Sequence, residues 1–178
     1  CHDTSLPYER MLNDIASYGY MVVALGEMQD SVNDRELKTS PNIDMIRAIE
    51  WAEAQTGKKG GDYYKGIDTE KVVFGGHSCG GAQTLANCAD KHVKTCIMFN
   101  SGMGNISMAD ASKESLKNLH GPILYIAGGD GDMAYANAEI DYANIDNVPV
   151  AFANHLRAGH GGTFHEQYGG SCSRLARA

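Results

Sequence analysis

A Gly-x-Ser-x-Gly motif occupies residues 76–80, between the apolar run at 72–74 and a segment from Ala82 to Asn87 with helical character. A strand, a tight turn at a serine and a helix together raise a serine hydroxyl above a sheet edge, and the helix N-terminus points at the same spot. We expect Gly76 and Gly80 to permit close approach of neighbouring backbone that a Cβ would block. No Gly-Lys-Ser/Thr follows, which excludes a phosphate loop. The context predicts that Ser78 is a nucleophile.

Apolar runs alternate with helical segments along the chain. This alternation predicts parallel βαβ units and an α/β fold with three α/β/α layers around a mostly parallel sheet of about five strands. The chain has 178 residues and no repeat or linker, so we expect one domain over 1–178. The predicted strands are 20–25, 71–74, 93–99, 122–127 and 148–152. The predicted helices are 7–17, 40–57 with a Ser-Pro start, 82–87, 134–142 and one from residue 172. Residues 110–119 are predicted as a short helix or helical turn, and 27–39 is a predicted loop.

Reactive groups in such sheets gather beyond the carboxyl ends of the strands. His160 follows the last predicted strand between glycines and is the best candidate base for Ser78. Asp130 and Asp132 both follow the preceding strand; one would orient the histidine and the other would cap the helix at residue 134. The order serine, aspartate, histidine differs from that of chymotrypsin and subtilisin. The backbone N–H of Cys79 would stabilise an oxyanion.

His77 adjoins the serine, but at such a turn we expect its side chain to point away from the nucleophile. His155, His160 and His165 are evenly spaced, yet this spacing fits no zinc pattern. We therefore expect neither a metal nor a cofactor. Cys88 and Cys96 lie in apolar surroundings, which predicts two buried thiols and no bridge.

The composition excludes two classes of partner. Twenty-two acidic residues against fifteen basic ones give a net charge of -7, which argues against nucleic-acid binding. No apolar run approaches the roughly 20 residues of a membrane span.

These motifs together resemble the α/β-hydrolases of the dienelactone-hydrolase and bacterial cutinase-like polyester-hydrolase type. The similar segments are 15–23, which resembles the approach to that family's fourth strand, 67–81 around the serine, the acid loop 129–134 and the histidine loop 159–161. The second aspartate of the family's acid loop is catalytic, so the resemblance implies Asp132. It also places the first oxyanion donor at Cys1, implies a truncated fold without the first strands and the end of the last helix, and favours a secreted protein.

The sequence thus predicts a serine hydrolase that cleaves carboxylic esters through an acyl-enzyme. Ser78, His160 and Asp132 would form the triad, and the N–H groups of Cys79 and Cys1 would hold the oxyanion. The substrate would be a small or polymeric ester. The resemblance favours polyesters less, because the chain has His77 and the sequence Ser-Gly-Met at 101–103 where polyester-degrading members carry aromatic residues.

The alternative prediction is a non-catalytic binding protein with this fold, or an inactive fragment, since a truncated sheet would expose an unpaired edge. Such an edge would also favour self-association. Met103, Tyr135 and His77 are candidates for shaping a pocket by adjacency alone, and we expect ordinary packing for each of them. The acyl and alcohol groups accepted are left open.

Overall fold

The computed structural model describes residues 5–26 and 40–161, and a parallel sheet of four strands forms the centre of this part. The strands are adjacent in sequence order: β1 (Val72–His77), β2 (Val93–Phe99), β3 (Ile123–Ala127) and β4 (Val150–Asn154). The α-helices are α1 (Glu9–Ser17), α2 (Ile43–Gly57), α3 (Cys79–Asn87) and α4 (Tyr135–Asn144). Short 3-10 helices span Leu6–Tyr8, Lys113–Asn118 and Gly129–Gly131.

Both faces of the sheet are covered. Since successive side chains of a strand point to opposite faces, neighbouring residues of one strand pack into different layers. On one side Tyr125 belongs to the main core, together with buried residues of α2, α3 and α4. On the other side its neighbour Ile126 packs with Phe99 of β2 and Met11 of α1. The predicted α/β architecture with three layers is therefore confirmed.

The predicted strand at 20–25 is wrong. This segment forms no ladder with any other described residues, and Tyr20 is 62% exposed although the apolar run predicted burial on both faces. A strand needs a neighbour to complete its backbone hydrogen bonds, and β1 pairs only with β2 among the described residues. The described sheet has four strands where five were predicted.

Helix α2 begins at Ile43, later than the predicted start at Ser40 and Pro41. Asn42 stands at its N-terminal boundary, and its side-chain amide donates to the carbonyl of Ala109 and to the carboxylate of Asp110, both at 2.7 Å. These bonds attach the start of the helix to a distant loop, which local sequence does not indicate. The elements predicted at 27–39 and from residue 172 lie outside the described residues.

Cys88 and Cys96 form a disulfide, so the prediction of two free thiols is wrong. Both residues are buried, as predicted, with 2% and 3% exposure. Cys88 follows the last residue of α3 and Cys96 lies within β2, and their Cα atoms are 6.3 Å apart. The bridge therefore closes the turn between this helix and the next strand.

No helix within 5–26 and 40–161 has the length and apolar character needed to cross a membrane.

Replacing both Cys88 and Cys96 by alanine should lower the free energy of unfolding by about 2 to 3 kcal/mol, because the short loop that the bridge closes becomes free in the unfolded chain. Urea denaturation of the native protein and the double variant measures the difference. A peptide map of the unreduced native protein should contain the two cysteines in one linked pair. Alkylation of both residues without prior reduction would contradict the assignment.

Candidate active site

Ser78 is the single residue between the end of β1 and the start of α3, and its backbone has a positive φ, with φ 54° and ψ −120°. This conformation is uncommon for a residue with a side chain and persists only where the surroundings enforce it. Here the Ser78 N–H donates to the carbonyl of Phe99 at 3.0 Å. The hydroxyl of Ser101 donates to the Ser78 carbonyl at 2.7 Å. The last residue of β2 and a residue just after it therefore bond the N–H and the carbonyl of Ser78.

Two glycines make the tight turn sterically allowed. A Cβ on Gly76 would collide with the carbonyl of Gly80, and a Cβ on Gly81 would collide with the side chain of Ser101. Gly80 itself faces open space, so the predicted steric role of its missing side chain is wrong. The close approach is made at Gly81, which lies just outside the five-residue motif.

The structure brings Ser78, His160 and Asp132 together at the carboxyl edge of the sheet. The Oγ of Ser78 lies 2.9 Å from Nε2 of His160, and Nδ1 of the same ring lies 2.6 Å from Oδ1 of Asp132. A neutral imidazole that donates from Nδ1 to the carboxylate leaves Nε2 as an acceptor for the serine hydroxyl. The three side chains thus form one continuous chain of hydrogen bonds across 82 residues of sequence.

Asp132 is the aspartate that contacts the histidine, while Asp130 is exposed to solvent. The helix-capping contact that was expected of the other aspartate is also made by Asp132. Its Oδ1 accepts from the N–H of Ala134 at 3.0 Å, just before α4. The predicted division of roles between the two aspartates is therefore wrong. Asp132 makes both contacts.

The side chain of Asp132 is fully buried, yet its carboxylate is well supplied with donors. Oδ2 accepts from the side-chain amide of Asn100 at 2.6 Å and from the N–H of Gly128 at 3.0 Å, in addition to the bonds of Oδ1 to His160 and Ala134. Burial opposes ionisation and is the largest single influence, but the four hydrogen bonds together outweigh it and lower the pKa of Asp132. The carboxylate is accordingly charged at neutral pH.

Asn100 is a site residue that the sequence analysis did not select. It is completely buried directly after β2, with φ 45°, and its amide donates to Asp132 and also to the carbonyl of Gly159 at 3.0 Å. Asparagine tolerates the left-handed region better than most residues, and it carries two N–H donors. An asparagine at the end of a predicted strand, two residues before a glycine, was the available signal.

His77 contacts the candidate base His160 and the side chain of Tyr8, and neither contact was predicted from the sequence. Its Nε2 donates to the backbone carbonyl of His160 at 2.7 Å, and its Nδ1 lies 2.7 Å from the hydroxyl of Tyr8. The ring centroids of His77 and His160 are 4.8 Å apart. Met103 is 1% exposed and belongs to the main core, which confirms the expectation of ordinary packing for this residue. Tyr135 does line a surface groove, together with Tyr142 and Phe152.

Of the two predicted oxyanion donors, the structure describes only Cys79. Cys79 is the first residue of α3, directly after Ser78, as expected. Its sulfur is in a disulfide and is therefore not a free thiol that could compete with Ser78 as nucleophile. Cys1 lies outside the described residues.

A metal site is a separate question, because histidine and aspartate meet at this edge. In the described ranges, no three His, Cys, Asp or Glu side chains are grouped so that they could hold a metal ion. His165, one of the three evenly spaced histidines, lies outside these ranges.

The sequence matches no protein-family model and no curated protein, but the structure is similar to several solved hydrolases. A meta-cleavage product hydrolase from Pseudomonas fluorescens is 13% identical with a TM-score of 0.58, over 97% of this chain and 84% of that one. An esterase domain from Rhodothermus marinus is 15% identical with a TM-score of 0.55, over 76% and 66%. A dienelactone hydrolase from Anabaena variabilis is 19% identical with a TM-score of 0.48, over 74% and 54%. The chain thus spans about half of the dienelactone hydrolase and about two thirds of the esterase domain, and at these identities the likeness concerns the fold.

Replacing Asn100 by glycine should lower the free energy of unfolding by about 1 to 3 kcal/mol, because the buried Asp132 carboxylate and the Gly159 carbonyl each lose a donor. Glycine keeps the left-handed backbone accessible, so the loss reflects the side chain. Chemical denaturation measures it. Asn100→Ala adds backbone strain at the positive φ and should cost more. Native stability of Asn100→Gly would contradict the importance of these two bonds.

The lowered pKa of Asp132 also predicts how stability depends on pH. Ionised Asp132 contributes stability above its unfolded pKa of about 3.9, and this contribution is lost as the pH falls through the lower folded pKa. The difference in unfolding free energy between the native protein and Asp132→Asn should therefore shrink on acidification from about pH 6 to about pH 3. Urea denaturation at several pH values measures it, and Asp130→Asn at the exposed neighbour is the matched control. A difference that grows on acidification would contradict the sign.

Proposed function

We propose that this chain, which has the fold of the α/β-hydrolases, is a serine hydrolase that cleaves carboxylic esters through an acyl-enzyme. The observation that carries the proposal is the hydrogen-bonded series from Ser78 through His160 to Asp132. A nucleophile, a base within reach of it and a carboxylate that orients the base are the three parts of this mechanism. That an esterase domain shares the fold supports an ester as the substrate.

In the proposed reaction, Oγ of Ser78 attacks the ester carbonyl carbon while Nε2 of His160 takes the hydroxyl proton. The tetrahedral intermediate carries a negative oxygen, which the backbone N–H groups of Cys79 and Cys1 would stabilise. The intermediate collapses as the C–O bond to the alcohol breaks, and His160 gives its proton to the leaving oxygen. Water, activated by the same histidine, then releases the acid and regenerates Ser78.

Asp132 has two tasks in this scheme. Its bond to Nδ1 holds the neutral ring of His160 in the tautomer that presents an acceptor to the serine. Its negative charge then stabilises the imidazolium that forms in each half-reaction. Burial opposes ionisation, but the hydrogen bonds lower the pKa of Asp132, so the carboxylate stays charged although its side chain has no solvent exposure.

The helix that follows the serine supports the proposed oxyanion hole. The first N–H groups of a helix lack partners within it and carry partial positive charge. Cys79 begins α3, which has nine residues, and the close packing at Gly76 and Gly81 fixes its start against β1. An oxyanion formed at Ser78 would lie at this positive end of the helix.

Disulfides bear on where such an enzyme would act. The Cys88–Cys96 bridge and the bonded sulfur of Cys79 are features of proteins from oxidising compartments. They support the secreted location that the family resemblance favours.

Ser78→Ala should lower kcat for a short-chain nitrophenyl ester by at least about a thousandfold, because the acyl-enzyme cannot form without the hydroxyl. Ser17→Ala, at an exposed serine in α1, is the matched control and should keep native turnover. Release of nitrophenolate measures both variants. Equal turnover by the native protein and Ser78→Ala would contradict the proposal and leave the non-catalytic binding protein as the better interpretation.

A further inference from the structure

Two side chains outside the triad connect the backbone of His160 to the packed core, and we propose that Tyr8 and His77 are positioning residues for this histidine. The inference rests on the proposed function, since it concerns how the base is held toward Ser78. It adds to that function a structural path that begins in the N-terminal 3-10 helix (Leu6–Tyr8) and ends at the His160 carbonyl.

The chemistry of the partners fixes the direction of both bonds. A backbone carbonyl only accepts, so Nε2 of His77 carries the hydrogen that it shares with the carbonyl of His160 at 2.7 Å. In the neutral ring Nδ1 is then an acceptor, and the Tyr8 hydroxyl, 2.7 Å away, donates to it. Tyr8 thus selects the tautomer of His77 that can hold His160, as a carboxylate selects the tautomer of a metal-binding or catalytic histidine.

The backbone around His160 needs such an anchor. Gly159 has φ 66° and Gly161 follows the histidine, so the local chain imposes little conformational restriction of its own. Upstream, the Gly159 N–H donates to the carbonyl of Gly128 at 2.8 Å, and the Gly159 carbonyl accepts from Asn100. These bonds hold the peptide before the histidine. The bond from His77 holds the peptide after it.

The anchor itself is rigidly placed. Tyr8 packs against the cluster formed by Met11, Phe99 and Ile126, which joins α1 to strands β2 and β3. The His77 ring lies between the other two rings, with its centroid 5.8 Å from Tyr8 and 4.8 Å from His160. His77 is also the last residue of β1, next to the nucleophile. One side chain therefore fixes the base relative to the strand that carries the serine.

Three variants separate the hydrogen bonds from packing. His77→Phe keeps an aromatic ring but removes both bonds, and it should lower kcat by about 10- to 100-fold with KM within about twofold, because alignment of the base is lost while substrate contacts remain. Tyr8→Phe, which removes only the hydroxyl, should lower kcat by about 3- to 10-fold. His77→Gln offers an amide N–H near the position of Nε2 and should recover kcat to within about threefold of native.

The double variant tests whether the two residues act through one path. Once His77 no longer binds the His160 carbonyl, the Tyr8 hydroxyl has nothing to orient. Tyr8→Phe with His77→Phe should therefore be within about twofold of His77→Phe alone. Tyr18→Phe is the matched control, at a 72% exposed tyrosine next to α1, and should keep native kcat. Native kcat in His77→Phe, equal losses in His77→Phe and His77→Gln, or multiplicative losses in the double variant would overturn the proposal.

A second readout needs no turnover and so distinguishes failure of this inference from failure of the proposed function. The proton on Nδ1 of His160, bonded to Asp132, should give a resolved downfield NMR signal in the resting native protein. We expect that signal to broaden or vanish in His77→Phe and to persist in His77→Gln and Tyr18→Phe. An unchanged signal in His77→Phe would overturn the positioning role even if the protein hydrolyses esters. Loss of the signal in a protein that cleaves no ester would support the role and contradict only the proposed function.

Discussion

The buried carboxylate of Asp132 is the interaction on which the geometry of this edge depends. It accepts from Asn100 after β2, from Gly128 after β3, from Ala134 before α4 and from His160 after β4. A charge with no solvent exposure is stable only while such donors are in place, so moving any of these segments leaves the charge poorly compensated. The same four hydrogen bonds therefore hold the loops in place and align the candidate base. One carboxylate links them.

Much of the fold could be predicted because the sequence signals were local. The strand at Val93–Phe99 has the predicted bounds, since an apolar run ends at an asparagine with turn character. The strand, serine turn and helix around Ser78 also agree with prediction, because Gly76 must lack a side chain for that turn to close. The second close approach, at Gly81, was not predicted. The likeness to solved structures confirms the α/β-hydrolase fold. The meeting of Ser78, Asp132 and His160 followed from topology, since parallel strands end at a common edge.

The missed features depend on contacts between distant parts of the chain. The apolar run at 20–25 has the composition of a strand, but no described strand lies beside it to form a ladder. The Cys88–Cys96 bridge depends on how α3 leads into β2, which the apolar context of each cysteine does not reveal. The contacts of Asn100 and His77 were not predicted because their partners, at Asp132 and at the His160 carbonyl, lie 32 and 83 residues away. These contacts form only when the ends of the strands are brought together.

Labelling by a fluorophosphonate probe distinguishes an activated Ser78 from an inert one, since the probe reacts with activated serines and needs no knowledge of the natural ester. Peptide mass spectrometry of the labelled protein locates the adduct. If Ser78 is activated, one phosphonate should be found on the peptide that contains Ser78, and labelling should be strongly reduced in His160→Ala although the serine is still present. An unmodified Ser78 in the folded native protein, or equal labelling without the His160 imidazole, would contradict this activation.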